Sequence, residues 1–310
     1  MTGTIGDGPG REAPVPPLIA AAREPSRADE DRPDDWGLFG PETVTWRVHS
    51  DPLIGLATLR SLVLRVLHPE GLTSVFATAQ RVDDPWDRLT WTLGRLGVVT
   101  FGNSIEAAIT GARMRAVLMQ VNGVTRAGQE YRGDDPDLLL WMHCCQVASF
   151  VEVTRRGGLA LTDAEHETYI REQVRLAAVW GLEPDQVPAG RRELTRYFRS
   201  ARPRLRMTAE ARAFLGAVVA PALPDLMALT QRNRPAWAPV AGLSYGALPN
   251  WARRMYTLPS DHGPAALSES ATTIALHSLR DSLRSRPDQT QPHLTQPGQT
   301  GPDQTGLRLT

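Results

Sequence analysis

The chain has 310 residues, a hydrophobic fraction of 41%, and equal numbers of basic and acidic residues, 34 of each. Such a length can bury a sizeable core in one large domain or two small ones. The basic residues are all arginine and are scattered along the chain, which disfavours nucleic acid and anionic membranes as partners. The absence of lysine excludes a Schiff-base amine and a P-loop lysine.

The two cysteines, Cys144 and Cys145, are adjacent, so they provide neither a disulfide framework nor a zinc-spaced pair. No apolar run reaches the roughly 20 residues that span a bilayer, and the first residues lack the pattern of a signal peptide. We therefore expect a cytoplasmic protein without stable membrane insertion.

Both ends of the chain are polar. Residues 1–34 are rich in Pro, Gly and charge, and residues 287–310 repeat a Pro-Asp-Gln-Thr pattern. These compositions cannot bury enough apolar area to offset the entropy of ordering. We expect a disordered N-terminal segment over 1–34, one helical domain over 35–286 and a disordered tail over 287–310.

Helical periodicity begins with the apolar residues of 53–67, which predict a helix that ends before Pro69. A second helix is predicted over 70–80. Asp84 followed by Pro85 is typical of a helix start, with the aspartate as N-cap and the proline at the first position.

Further cap signals follow in chain order. Asn103 or Ser104 is expected to cap a fourth helix that Gly123 stops. Asp135 before Pro136 predicts the start of a central helix over 137–156, which is apolar on more than one side.

A capping box, Thr162 to Glu165, predicts a helix that runs toward Leu182. Other helices fit residues 190–201, 208–219 and 264–285. A Pro-rich irregular segment is expected over 221–249, and no alternating strand run of convincing length is present. The pattern predicts an all-α fold, a single large helical domain between disordered tails.

Arg88 and Thr92 lie one turn apart on one predicted helix face. A guanidinium beside a hydroxyl suits a carboxylate or a propionate. The alternative is an ordinary surface arginine that pairs with Asp84 or Asp87.

Two histidines are candidate site residues. His143 lies among large apolar residues, where its ring needs either a metal or haem iron or a hydrogen bond to a neighbouring helix. His68, before Pro69, stands either at a pocket mouth or in favourable contact with a helix dipole. The acidic residues of 163–167 match no metal motif and are interpreted as a solvated face.

Several segments, taken together and in one order, resemble the oxygenase family of MpaB and the latex-clearing proteins. They are Leu67–Pro69, Asp84–Thr92, Thr100–Gly102, Tyr131–His143, Tyr169–Val174 and Leu248–Arg254.

This resemblance implies an all-α oxygenase of secondary metabolism that holds haem b and uses dioxygen on an apolar small molecule. It implies that Arg88 and Thr92 lie beside the cofactor, that His68 matches the family's His-Pro, and that Trp141 and His143 match its Trp-x-His. His143 is then the candidate iron ligand.

The chain departs from the family pattern at three positions. Leu118 stands where the family has its presumed iron-ligand histidine, Thr78 stands at a second family histidine, and Trp91 replaces a lysine of some rubber-cleaving members. Three hypotheses follow: a haem-dependent oxygenase, a cofactor-free enzyme that performs acid–base chemistry on the same fold, and a non-catalytic helical binding protein.

We predict that deleting residues 1–30 and 288–310 leaves the melting temperature unchanged, because neither segment has the apolar periodicity that docking onto a core requires. Thermal unfolding of the truncated and full chains checks this. A drop of several degrees on removing either segment would show that it packs on the domain.

Overall fold

The computed structural model describes residues 35–71, 85–124, 128, 130–219, 237–256 and 268–285. Helices make up most of this part of the chain, which confirms the all-α prediction. The α-helices are α1 (Val44–His49), α2 (Ile54–Arg65), α3 (Pro85–Phe101), α4 (Ser104–Met119), α5 (Pro136–Arg156), α6 (Asp163–Val179), α7 (Arg191–Ala201), α8 (Ala209–Val219), α9 (Trp237–Gly246), α10 (Asn250–Tyr256) and α11 (Glu269–Arg284).

Three helices begin where the cap residues predict. The Asn103 side chain accepts a hydrogen bond from the Glu106 amide and opens α4 with a capping box. Asp135 accepts bonds from the first amides of α5, with Pro136 at the first position. Thr162 forms the second capping box with Glu165 and opens α6. Each cap satisfies amides that have no intrahelical partner.

The core is organised around α2 and α5, which form the most extensive helix contact in the described part of the chain. Every residue of α2 from Ile54 to Leu64 is buried, including Arg60. Cys144 and Cys145 of α5 are buried free thiols. Burial raises the pKa of both thiols, although Arg60 and Arg65 oppose this shift at Cys145.

The Glu172 carboxylate of α6 forms hydrogen bonds to the first residues of α1. Glu172 accepts hydrogen bonds from the amide and the hydroxyl of Thr45, both at 2.7 Å, and from the Val44 amide at 3.3 Å. Gln173 also donates to the Thr45 hydroxyl at 2.8 Å. The carboxylate meets the positive end of the helix dipole and satisfies its first amides.

Two short strands interrupt the helical pattern, β1 (Asn122–Val124) and β2 (Glu130–Arg132), which pair antiparallel. Helix α4 ends at Met119, so the prediction that Gly123 stops it was wrong. The reason is that Gly123 pairs with Tyr131 in this hairpin.

The Pro-rich segment was predicted to be irregular, but it contains helix α9. Pro239 is tolerated there since it lies in the first turn, where its missing amide has no intrahelical partner to lose. Most of the predicted helix over 70–80 lies outside the described residues, as do both predicted disordered tails. In the part of the chain that is described, no helix combines the length and the apolar character that crossing a bilayer requires.

A buried ion pair joins the last helix to the core. The Arg280 guanidinium on α11 donates to the Asp51 carboxylate, with Nε and Nη2 each 2.9 Å from Oδ2. The other carboxylate oxygen, Oδ1, accepts a bond from the Leu53 amide at 3.0 Å, just before α2. Both side chains are almost fully buried: Asp51 is 1% exposed and Arg280 is 7% exposed.

We predict that Asp51→Ala lowers the free energy of unfolding by about 3–5 kcal/mol, because it leaves the Arg280 charge buried without a partner. Denaturant titration measures the effect. Asp281→Ala, an exposed aspartate next to Arg280, is the matched control and should change stability by less than about 0.5 kcal/mol. Equal effects of the two variants would contradict the importance of the pair.

Candidate functional site

A cavity of about 120 Å³ lies among α2, α3, α4 and α5, and Trp180 after α6 closes one side. Most of its walls are apolar. Its lining residues are Leu62, Arg65, Trp91, Thr92, Arg95, Leu96, Met114, Leu118, Leu139, Met142, His143, Gln146, Phe150 and Trp180. We call it the first cavity.

His143 stands on the wall contributed by the middle of α5 and is only 5% exposed. Its Nδ1 atom has no hydrogen-bond partner within the described part of the protein. The alternative of a bond from Nδ1 to a neighbouring helix is therefore not observed there. Burial, helped by the charge of Arg65, lowers the pKa of His143 to about 3, so the ring is neutral at ordinary pH.

Arg65 and Gln146 add a polar strip to the same cavity. Arg65 Nη2 donates to Gln146 Oε1 at 3.0 Å and so joins α2 to α5. Two donors of this pair, Nε of Arg65 and Nε2 of Gln146, are buried and have no partner among the residues described. An unpaired buried donor costs about 1–3 kcal/mol, so a ligand oxygen or a water molecule that accepts from these atoms would bind favourably.

Helix α3 supplies Thr92 and Arg95 from the opposite wall. The Arg95 guanidinium carbon lies 3.9 Å from the centre of the Trp91 ring, a cation–π contact, while its Nε has no hydrogen-bond partner in the described residues. Burial lowers the pKa of Arg95, but an arginine remains charged at neutral pH. For Arg88, one turn before Thr92, the structure describes the helical backbone but not the side chain.

The first cavity has a positive electrostatic character. Arg65 and Arg95 contribute cations, and no aspartate or glutamate is found among its lining residues. Leu118, at the end of α4, fills the position from which the resemblance expects a histidine. The cavity therefore combines apolar walls with donors suited to an anionic or carbonyl oxygen.

Of the predicted site residues, the cavity brings together Thr92 and His143, whereas His68 and Trp141 do not line it. Trp141 is fully buried in the core and donates through Nε1 to the Arg65 carbonyl at 3.0 Å. The His68 ring lies 6.1 Å from the Trp141 ring and contacts the Glu70 amide through Nδ1 at 3.4 Å. Burial lowers the pKa of His68 as well.

The acidic residues at the start of α6 take structural roles. Glu165 belongs to the capping box and pairs with Arg47, while Asp163 pairs with Arg191 at 2.9 Å. Across the described ranges, no group of three or more His, Cys, Asp or Glu side chains is arranged to hold a metal ion.

Residues 46–277 match the family model described as ER-bound oxygenase mpaB/B'/Rubber oxygenase, catalytic domain. The chain belongs to this family. The match covers most of the chain and includes every helix that forms the first cavity. As a member of the mpaB/rubber oxygenase family, the protein is an oxygenase-type enzyme, which implies a small-molecule substrate and dioxygen.

The chain was also compared with curated proteins and with solved structures, and no match was found in either comparison. The family assignment therefore stands on the catalytic-domain match and on the all-α fold.

Sequence reasoning missed Arg65, Arg95 and Gln146. A signal for Arg95 existed, because positions 88, 92 and 95 share one helix face. Gln146 follows His143 by three residues in an otherwise apolar stretch, which also indicates one face. Arg65 had no local signal, since its neighbour Gln146 is 81 residues away in sequence.

We predict that His143→Leu flattens the acid dependence of stability. The pKa of this histidine is about 3 in the folded state and near 6.5 in the unfolded state. Between these values the unfolded state binds more protons than the folded state, so stability is lost as pH falls. Removing the group should reduce the slope by up to about 1.4 kcal/mol per pH unit.

Denaturant unfolding at pH 7, 6 and 5 measures this slope. Met142→Leu on the same helix is the matched control, because it changes the cavity wall without removing a titrating group. A His143→Leu slope equal to that of the wild type would show that folding does not lower the pKa of this ring.

Proposed function

We propose that the protein is a haem-dependent oxygenase that acts on an apolar small molecule in the first cavity. The observation that carries this proposal is the His143 ring, which is neutral, buried on the cavity wall and unpartnered at Nδ1. A neutral imidazole nitrogen is the usual protein ligand of haem iron.

The donor chemistry of the described residues fits a haem. His143 offers a nitrogen for iron, and the unpaired Nε atoms of Arg65 and Arg95 offer hydrogen bonds to propionate oxygens. The volume is smaller than the roughly 300–1,000 Å³ typical of pockets for larger ligands. Haem binding therefore requires the cavity walls to move apart, and Met114 is a flexible side chain on that wall.

In this proposal His143 holds iron, while Arg88 and Thr92 orient a propionate or a substrate carboxylate, as the family resemblance implies. When bound, haem iron supplies the activation of dioxygen. Leu62, Leu96 and Leu139 bind the apolar substrate and exclude water from the reacting atoms.

The acid–base alternative receives less support from the same residues. A general base works best when its pKa lies near the operating pH, and a pKa of about 3 makes His143 a weak base at neutral pH. The non-catalytic alternative is favoured by one observation, the presence of Leu118 on the cavity wall instead of a histidine. Haem binding distinguishes that alternative from the proposal.

We predict that purified protein titrated with haemin develops a Soret band that saturates at one haem per chain. Because Trp91 and Trp180 line the cavity, the same titration should quench tryptophan fluorescence with the same midpoint. His143→Ala should abolish the band or shift it, whereas Glu152→Gln, an exposed residue of the same helix outside the lining of the first cavity, should leave it unchanged.

The variant Leu118→His tests the departure from the family pattern. If His143 holds iron, the added histidine should compete for it and change the spin state seen in the spectrum. A wild-type protein that binds no haem, together with a Leu118→His variant that does, would overturn the proposal and favour a binding protein. An unaltered spectrum in His143→Ala would assign the iron to another ligand.

A further inference from the structure

A second cavity of about 950 Å³ lies elsewhere in the fold, lined by α2, α5, α6, α7, α10 and α11. The lining of this second cavity shares no residue with the lining of the first. Its apolar wall consists of Val151, Ile170, Leu194, Phe198, Leu248 and Trp251. The volume falls within the range of ligand pockets, so the question is what kind of ligand these side chains select.

Arg60 on α2 lies in the wall of the second cavity and is only 4% exposed. Its Nε donates to the Ala247 carbonyl at 2.8 Å, and its Nη1 donates to the Ser149 hydroxyl at 2.7 Å. Among the described residues, no acceptor bonds to its Nη2 and no carboxylate forms an ion pair with the guanidinium. Burial lowers the pKa of Arg60 to about 10, which still leaves it charged at neutral pH.

Arg202, just after α7, is a second lining arginine that forms no ion pair with the residues described. Its guanidinium carbon lies 5.1 Å from the centre of the Trp251 ring. This cation–π contact holds the charge beside the apolar wall and leaves its hydrogen-bond donors available to a ligand.

The other charges of the second cavity largely balance one another. Arg191 pairs with Asp163 at 2.9 Å, and Arg156 approaches Glu152 at 3.9 Å. Glu269 approaches Arg253 at 3.6 Å. Arg60 and Arg202 therefore remain the two lining arginines that form no ion pair with a described residue, although the Glu152 carboxylate is near enough to raise the pKa of Arg60 and so offsets part of its burial.

We propose that the second cavity binds a small-molecule carboxylate with an apolar body, of the medium-chain fatty acid type. In this proposal one carboxylate oxygen accepts from Nη2 of Arg60, the nitrogen left without a partner, and the carboxylate also pairs with the Arg202 guanidinium. The chain contacts the apolar wall and gains from burial of its methylene groups. This site is independent of the first cavity and of any haem.

The first test is calorimetric titration of the purified full chain with dodecanoate and with dodecanol, both below the concentration at which they form micelles. We expect one dodecanoate per chain, bound at least about tenfold more tightly than dodecanol, because hydrogen bonds from a guanidinium to a carboxylate are stronger than those to a hydroxyl. Equal affinity for both ligands, or no binding of dodecanoate, would overturn the proposal.

Substitutions locate the site. Arg202→Gln removes an exposed charge with little risk to folding and should weaken dodecanoate binding about fivefold. Arg196→Gln is the matched control, an equally exposed arginine of α7 outside the cavity lining, and should leave the affinity unchanged. Equal losses in these two variants would show only a general effect of charge.

Two further variants complete the test. Arg60→Lys keeps the buried charge but loses the Nη2 donor, and should weaken dodecanoate binding about tenfold while the affinity for dodecanol stays constant. Arg65→Gln changes the first cavity instead. A loss of dodecanoate binding in Arg65→Gln, with none in Arg202→Gln, would place the carboxylate in the first cavity and overturn the assignment to the second.

Discussion

The packing of α2 against α5 is the contact on which the rest of the structure depends. Every position of α2 from Ile54 to Leu64 is buried, so this helix cannot turn a polar face to water. It nevertheless carries two arginines, Arg60 and Arg65, whose charges must be solvated by something other than water. The carbonyl and hydroxyl acceptors around Arg60, and Gln146 beside Arg65, provide part of that solvation. Each arginine lines a different cavity, where, in our proposals, a ligand would provide the remainder.

The first cavity is polar at isolated points and apolar elsewhere, whereas the second cavity has a lining of polar and apolar residues. A buried cation without an adjacent carboxylate is costly in an empty site and favourable when an anion binds, so the protein holds binding energy in a preorganised form. His143 is also shielded from water, but its ring is neutral. Its desolvation prevents protonation, and an imidazole that stays neutral keeps a lone pair available to a metal.

Local chemistry made much of the fold predictable. Asn103, Asp135 and Thr162 start helices through contacts within three residues, so the sequence carries the whole signal. Helix α9 escaped prediction because buried residues surround it on several sides and leave no amphipathic period. At the site, His143 and Thr92 stood out by type and neighbourhood. Arg65 could not be predicted, since its role depends on α2 and α5 meeting in three dimensions.

The adjacent thiols of α5 have a bearing on the protein's durability. Cys144 and Cys145 lie on the helix that also carries His143, so in the proposed oxygenase dioxygen would be activated near two sulfur atoms. The thiolate is the form that oxidants attack, and both thiols are kept protonated and away from solvent. Burial and protonation thus protect the two thiols of this central helix from oxidation.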